Sequence, residues 1–90
     1  MTLSKIPRQK ADYRLEALDD ELLLYHPSDT KIMYCNQTAS LVWLLCNGER
    51  SGQEIVTLLS NAYPDNAQTI AADVTAALQQ FAEHGAIEWL

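Results

Sequence analysis

Residues 36–48 read Asn-Gln-Thr-Ala-Ser-Leu-Val-Trp-Leu-Leu-Cys-Asn-Gly, and they predict the helix around which the chain folds. Asn36 is an N-cap residue whose side chain can accept a free N–H of the first turn, and Asn47-Gly48 is typical of a left-handed helix stop. Residues 41–46 are apolar without a break, a run too short to cross a membrane. Because a helix that is apolar on every side must be covered by other elements, we expect it at the centre of a small globular domain.

The length and composition of the chain indicate one domain. Ninety residues, 48% of them hydrophobic, can form one core without a metal or a disulfide. The first ten residues are polar and basic, so no secretory signal and no membrane span are predicted, and the expected location is the cytoplasm.

Cys35 and Cys46 flank the predicted helix about 15 Å apart. A disulfide spans only about 7 Å, so we expect two reduced thiols.

Three short strands are predicted before the helix. The first strand is predicted at 13–18, where the first five residues alternate apolar and polar side chains. A tight turn at 19–20 leads into the apolar strand 21–26. A turn at 27–30, with Pro and Asp, leads into a third strand at 31–35. Short turns between consecutive strands predict an antiparallel meander.

Two further helices are predicted after the central one. Ser51 followed by Glu54 is a capping box that starts the second helix, which ends at Pro64. Its apolar face is expected at Ile55, Leu58, Leu59 and Ala62. Asp65-Asn66 is expected to cap the third helix, which Gly85 ends. The buried stripe of the third helix is expected at Ile70, Val74, Ala77, Leu78 and Phe81.

The complete order predicts an α+β fold. It is a winged helix-turn-helix-like arrangement of a three-stranded antiparallel meander, three helices and a short extended segment at 86–90. Residues 1–12, with Pro7 and no periodicity, are expected to form a flexible N-terminal arm ahead of a single domain at 13–90.

Residue types that carry catalysis do not form a recognisable constellation. His26 and His84 have no Cys, Asp or Glu at a metal-ligand spacing, and the glycines cannot form a phosphate loop. The serines lack a nucleophile-elbow context. We therefore expect no enzyme activity, no cofactor and no metal site.

The charge distribution argues against nucleic acid as a partner. The net charge is −6, and four of the six basic residues lie in the first fourteen positions. Residues 68–83, in the predicted third helix, contain no Lys or Arg, so that helix would repel phosphates. A winged-helix DNA-binding transcriptional regulator is the alternative class, and this charge pattern disfavours it.

The strand at 31–35 is the feature that indicates a mode of binding. If strand order follows sequence order, it lies at a sheet edge, and it carries one charge, Lys31, and no proline. Such an edge is either covered by the third helix or the N-terminal arm, or kept open for a partner strand; the sequence leaves both open. Ile32 and Tyr34 share one face, and Lys31, Met33 and Cys35 share the other, but the pattern does not say which face meets the core.

Several short segments of the chain together form a recognisable pattern. They are Asn36-Gln37-Thr38-Ala39, Val42-Trp43-Leu44-Leu45, Asn47-Gly48-Glu49-Arg50-Ser51, Glu54-Ile55, Leu58-Leu59, Phe81-Ala82-Glu83-His84-Gly85-Ala86-Ile87 and Leu24-Tyr25-His26-Pro27-Ser28. This pattern resembles the PqqD family, small proteins of pyrroloquinoline quinone biosynthesis with relatives that act as peptide-modification chaperones. The resemblance spans about residues 13–88, and Asn47 and Ser51 depart mildly from the usual Asp and Thr.

The resemblance implies a non-catalytic peptide chaperone. Such a protein binds the leader of a ribosomally made precursor peptide by strand addition and presents it to a modifying enzyme, often a radical S-adenosylmethionine enzyme. The resemblance does not separate quinone-cofactor biosynthesis from another peptide product, and a homodimer stays open. The leader would lie beside the third strand and against the third helix. The implied peptide-binding residues are Lys31, Ile32, Met33, Tyr34, Cys35, Thr69, Asp73, Ala76 and Gln80.

Overall fold

The computed structural model describes residues 3–18, 21–28 and 32–90. The predicted turn at 19–20, part of the turn at 27–30, and Lys31 lie outside the described residues. The order confirms the α+β class: an antiparallel sheet, three helices and a C-terminal strand. The elements are β1 (Pro7–Gln9), β2 (Arg14–Leu18), β3 (Glu21–Tyr25), β4 (Ile32–Cys35), α1 (Gln37–Leu45), α2 (Gly52–Ala62), α3 (Ala67–Glu83) and β5 (Ile87–Trp89).

The three-stranded sheet has the order β2-β3-β4 with both pairs antiparallel, which confirms the meander. Its register places Leu15 opposite Leu24 and Leu24 opposite Met33. Leu24 and Met33 are buried in the core. Because neighbouring residues of a strand point to opposite faces, this register fixes the inner face of the sheet.

Helix α1 begins where the sequence predicts, since the Asn36 side chain accepts the Ala39 N–H at 2.7 Å. Val42 and Trp43 are buried, and Trp43 stacks edge-on against Phe81 of α3. The expectation that this helix is covered all round is wrong, because Leu44 is 60% exposed. Its neighbours are β4 and α3, and in the described part of the chain no element covers the side that carries Leu44.

Helices α2 and α3 pack on each other and complete the core. The capping box at Ser51 and Glu54 is confirmed, with both reciprocal hydrogen bonds formed. The predicted face of α2 is partly wrong: Leu58 and Ala62 are exposed, and Val56 is buried beside Ile55 and Leu59. The predicted stripe of α3 is confirmed in full, and Gly85, at φ +72°, follows the end of that helix.

Residues 1–12 were expected to form a flexible N-terminal arm, and part of this segment is a strand in the structure. Pro7–Gln9 form β1, which pairs antiparallel with β5, and Pro7 is fully buried. On its other side, β1 bonds to the segment after α1: the Gln9 N–H donates to the Cys46 carbonyl at 2.9 Å, and the Gly48 N–H donates to the Pro7 carbonyl at 3.1 Å. The described part of the arm therefore lies between β5 and the segment after α1. We call the pair of β1 and β5 the terminal sheet.

Upstream of β1, the chain also caps α2. The Leu3 carbonyl accepts the Gln53 N–H at 2.8 Å, and the Lys5 carbonyl accepts the Gly52 N–H at 3.1 Å. These are the first N–H groups of α2, which have no partner inside the helix. The extended segment expected at the C-terminus is confirmed as β5, so the two ends of the chain are joined through the terminal sheet. Among the described helices, none has the length and hydropathy that crossing a membrane requires.

Candidate functional site

The outer edge of β4 has no strand partner among the described residues. β4 is the last strand of the sheet and pairs with β3 alone. Within the described residues, no strand and no other backbone group bonds to its outer side. The position at the sheet edge is thus confirmed. The described part of the arm does not cover it, because β1 pairs with β5 instead.

The side chains of β4 alternate between core and solvent. Met33 is 4% exposed and Cys35 is half-buried, whereas Ile32 is 50% and Tyr34 is 67% exposed. The face that the sequence left unassigned is therefore settled: Met33 and Cys35 face inward. Burial also raises the pKa of the Cys35 thiol, which disfavours the reactive thiolate.

A groove of about 260 Å³ opens next to the end of β4. One wall is the first turns of α1, which continue directly from the strand, and the other is the start of α3. The end of α2 closes it. Its lining residues are Gln37, Thr38, Leu41, Leu59, Tyr63, Asn66, Thr69, Ile70 and Asp73.

The residues expected on α3 divide into two pairs. Thr69 and Asp73 line the groove together with Gln37 and Thr38 from the first turn of α1. Ala76 and Gln80 are exposed farther along α3, outside the groove lining. Asp73 is the charged residue of the lining, and it gives the groove an acidic wall.

The groove wall that α1 supplies was not predicted from the sequence. Gln37 and Leu41 lie four residues apart, a spacing that places two side chains on the same side of a helix. Leu41 was counted with the apolar core, yet it is only partly buried. The available indication was the polar pair Gln37-Thr38, directly after the edge strand.

The outer face of the sheet carries a polar contact of its own. The Tyr25 hydroxyl donates to Glu16 at 2.8 Å, and this hydrogen bond raises the pKa of Tyr25. Tyr25 also lies opposite Ile32, and Leu23 lies opposite Tyr34. The exposed side chains of β4 therefore border two partly buried apolar neighbours on β3.

The edge of β4 and the groove present backbone groups, apolar side chains and one carboxylate. The described ranges hold no group of three or more His, Cys, Asp or Glu side chains that could hold a metal ion. His26 takes part in a turn, since its Nδ1 accepts the Ser28 N–H at 3.0 Å. The unpaired strand edge offers backbone donors and acceptors, and the groove offers apolar floor residues with one carboxylate.

These features define a small α+β domain in which the outer edge of β4 has no partner among the described residues and a groove begins just after that strand. The chain belongs to the PqqD family: the family model described as Coenzyme PQQ synthesis protein D (PqqD) matches residues 21–87. The comparison with curated proteins gives no match.

One solved structure that this chain resembles is described as TbiB1 in complex with the TbiA(beta) leader peptide. The two chains share 21% sequence identity with a TM-score of 0.68, over 90% of this chain and 94% of the other. At 21% sequence identity, this likeness supports a shared fold.

Proposed function

We propose that this domain binds the leader segment of a ribosomally made precursor peptide as a strand added to the outer edge of β4. The observation that carries the proposal is the unpaired edge, which lies beside a groove in a member of the PqqD family. The structural neighbour TbiB1, seen with a leader peptide, supports the same class of ligand. Strand addition draws its affinity from main-chain hydrogen bonds and its selectivity from alternate side chains.

The alternation in β4 divides the leader's side chains into two sets. An added strand continues the pleat, so one set lies beside the exposed Ile32 and Tyr34. The other set turns toward the helices, where Leu41 and Ile70 offer apolar contact and Asp73 offers a negative charge. We propose that leaders with apolar residues at alternate positions and a basic residue near Asp73 bind best. The charge pair contributes little, about 0–1 kcal/mol, because it is exposed.

The remaining proposed residues extend this site in both directions. Lys31 precedes the described part of β4, and Ala76 with Gln80 continues the exposed side of α3 beyond Thr69 and Asp73. A leader that continues from the groove along α3 would contact Ala76 and Gln80, and a leader that extends past the start of β4 would contact Lys31. This placement stays a prediction for all three residues.

We also propose that the domain acts without catalysis of its own and presents the bound peptide to a modifying enzyme in the cytoplasm. A radical S-adenosylmethionine enzyme is one such partner, in pyrroloquinoline quinone biosynthesis or in a related peptide pathway. Family membership supports this step. The winged arrangement also remains a prediction. A regulator that binds DNA is disfavoured because α3 contains no Lys or Arg, and its groove end carries Asp73.

The test is an NMR titration of the ¹⁵N-labelled domain with the leader of its precursor peptide. We expect shifts at 32–35, Thr69 and Asp73, and unmoved signals on the outer face of α2 at Gln53 and Thr57. Leaders that are N-methylated at one amide each then test strand addition without any change in the domain. Affinity should fall at every second position of the bound segment, because alternate N–H groups of a strand point to the same side.

Two outcomes would rule the site out. One is a shift pattern confined to α2 or to the terminal sheet. The other is a methylation series whose losses follow no two-residue period, which would mean that the peptide binds through side chains alone. Asp73→Lys, compared with Glu83→Lys on the same helix, gives the matched charge control: only the first should weaken a leader with a basic residue.

A further inference from the structure

We propose that the Asn47-Gly48 pair is a site of spontaneous deamidation and that β1 sets its rate by holding the reacting nitrogen. The asparagines of the chain are at 36, 47, 61 and 66, and Asn47 is the one that glycine follows. Deamidation begins when the main-chain nitrogen of the next residue attacks the asparagine side chain, and glycine hinders that attack least. Asn47 is also exposed, so water reaches it. The pair therefore has the sequence and the exposure that the reaction needs.

The reaction consumes only water. The Gly48 nitrogen gives up its proton to solvent and forms a bond to Cγ of Asn47, and the side-chain nitrogen of Asn47 leaves as ammonia. The product of this step is a cyclic succinimide. Water then opens the ring at either carbonyl, which leaves aspartate or isoaspartate at position 47. Over both steps one water is consumed and one ammonia is released, without oxidation or reduction.

In the closed fold, β1 holds the reacting nitrogen. The Gly48 N–H donates to the Pro7 carbonyl at 3.1 Å. The side-chain stem of Arg8 lies over Gly48, where an added β-carbon would come within 3.1 Å of it. The side-chain carbonyl of Asn47 is engaged as well, because it accepts the Glu49 N–H at 3.1 Å. Since the attacking nitrogen must lose its proton and approach Cγ, the hydrogen bond to Pro7 blocks the first step until β1 moves away.

The contacts that hold β1 in place determine how often it opens. On one side β1 pairs with β5, and on the other the Gln9 N–H donates to the Cys46 carbonyl at 2.9 Å. The Gln9 side-chain amide adds a bond to the Trp43 carbonyl at 2.7 Å. Pro7 is buried, so each opening exposes it and openings are rare. Opening of a terminal segment still costs less free energy than unfolding of the whole domain, so we expect deamidation through this local opening.

The two products differ in their effect on the terminal sheet. Aspartate leaves the main chain unchanged. Isoaspartate adds one carbon to the main chain between residues 47 and 48. Asn47 forms a β-bridge with Arg8, and Gly48 bonds to Pro7, so the extra carbon falls where the register with β1 is set. Isoaspartate at 47 therefore prevents β1 from closing fully, and the modification favours the open state that produced it.

One nitrogen reports both the opening and the reaction. The Gly48 N–H must be free to exchange with deuterated solvent, and it must be free to attack Asn47. A synthetic peptide with the sequence of residues 43–52 gives both rates without the fold, at the same pH and temperature. NMR measures the exchange at Gly48 in the folded chain, and mass spectrometry of proteolytic fragments measures deamidation at Asn47. Relative to the peptide, deamidation should be slowed by about the same factor as exchange at Gly48.

A pair of variants tests the role of β1 directly. Gln9→Ala removes the side-chain bond to the Trp43 carbonyl and should speed deamidation at Asn47 about 2- to 10-fold, the effect of losing one hydrogen bond from the closed state. Gln79→Ala is the matched control, because that side chain contacts only the exposed Glu83, at 3.4 Å on α3. The control should deamidate at the rate of the wild-type chain.

Three results would overturn the proposal. A folded chain that deamidates faster than exchange at Gly48 allows would show that the reaction proceeds with β1 closed. Deamidation slowed far more than exchange at Gly48, to the level of a core amide such as that of Leu78, would show that the whole domain must unfold first. Equal rates in Gln9→Ala and Gln79→Ala would show that β1 does not control the reaction. If Gln9→Ala does not fold, the comparison of exchange and deamidation in the wild-type chain decides by itself.

Discussion

Trp43→Ala tests the packing on which the architecture depends. Trp43 is 3% exposed and lies between two other aromatic rings, with its centroid 5.4 Å from that of Phe81 and 6.1 Å from that of Tyr13. Through these contacts, α1 is joined to α3 and to the residue that precedes β2. The main-chain contact at this position survives the substitution, because the Gln9 side-chain amide donates to the Trp43 carbonyl. The experiment thus removes side-chain packing alone.

The loss of stability expected for Trp43→Ala follows from the area that the Trp43 side chain buries. A buried tryptophan removes roughly 150–250 Å² from water. At about 25 cal/mol per Å², this burial stabilises the fold by about 4–6 kcal/mol. Alanine keeps part of the contact, so we expect a loss of about 3–5 kcal/mol in the free energy of unfolding. A chain of this length has a total stability of about 5–13 kcal/mol, so the variant should be close to unfolding.

Urea denaturation followed by far-UV circular dichroism measures the change. Leu44→Ala is the control, because it lies next to Trp43 in the same helix but is 60% exposed, and it should cost less than about 1 kcal/mol. If Trp43→Ala does not fold, Trp43→Phe should give a smaller loss that can be measured. A loss for Trp43→Ala no greater than that for Leu44→Ala would refute the burial of Trp43 between Phe81 and Tyr13.

Two further predictions concern the terminal segment and the buried thiol. Deletion of residues 1–5 removes the Leu3 and Lys5 carbonyls from α2 and should lower the free energy of unfolding by about 1–3 kcal/mol, whereas Lys5→Ala, which keeps its carbonyl, should change it little. Burial raises the pKa of the Cys46 thiol to about 12, so the unfolded chain releases this proton at lower pH than the folded chain. Stability should therefore fall as the pH rises above about 9, and Cys46→Ala should flatten that decline in urea titrations.

The elements that the sequence predicted well are those whose determinants are local. The cap at Asn36, the capping box at Ser51 and the five-residue stripe of α3 each depend on residues within a few positions of one another. Their hydrogen bonds and faces follow from helix geometry alone. The meander was also predictable, because short turns place consecutive strands side by side, where they pair antiparallel.

The errors arise where a residue's environment is set by distant parts of the chain. Leu44 and Leu58 have the spacing of buried residues, but no described element packs against the helix side that carries each of them. Which side of a helix is covered depends on the packing of the whole domain. β1 is three residues long, too short for any periodicity, and its partner is about 80 residues away. The groove could not be predicted for the same reason, because α1, α2 and α3 each supply part of its lining.

The described part of the arm does not cover the outer edge of β4. The sequence left two candidates to cover that edge, and the arm was one of them. In the structure, the carbonyl of Pro7 and the N–H of Gln9 bond to the segment after α1, while the other side of β1 pairs with β5. A strand has only two edges, and both edges of β1 are occupied. The described part of the arm thus stabilises the terminal sheet, and among the described residues no backbone group bonds to the outer side of β4.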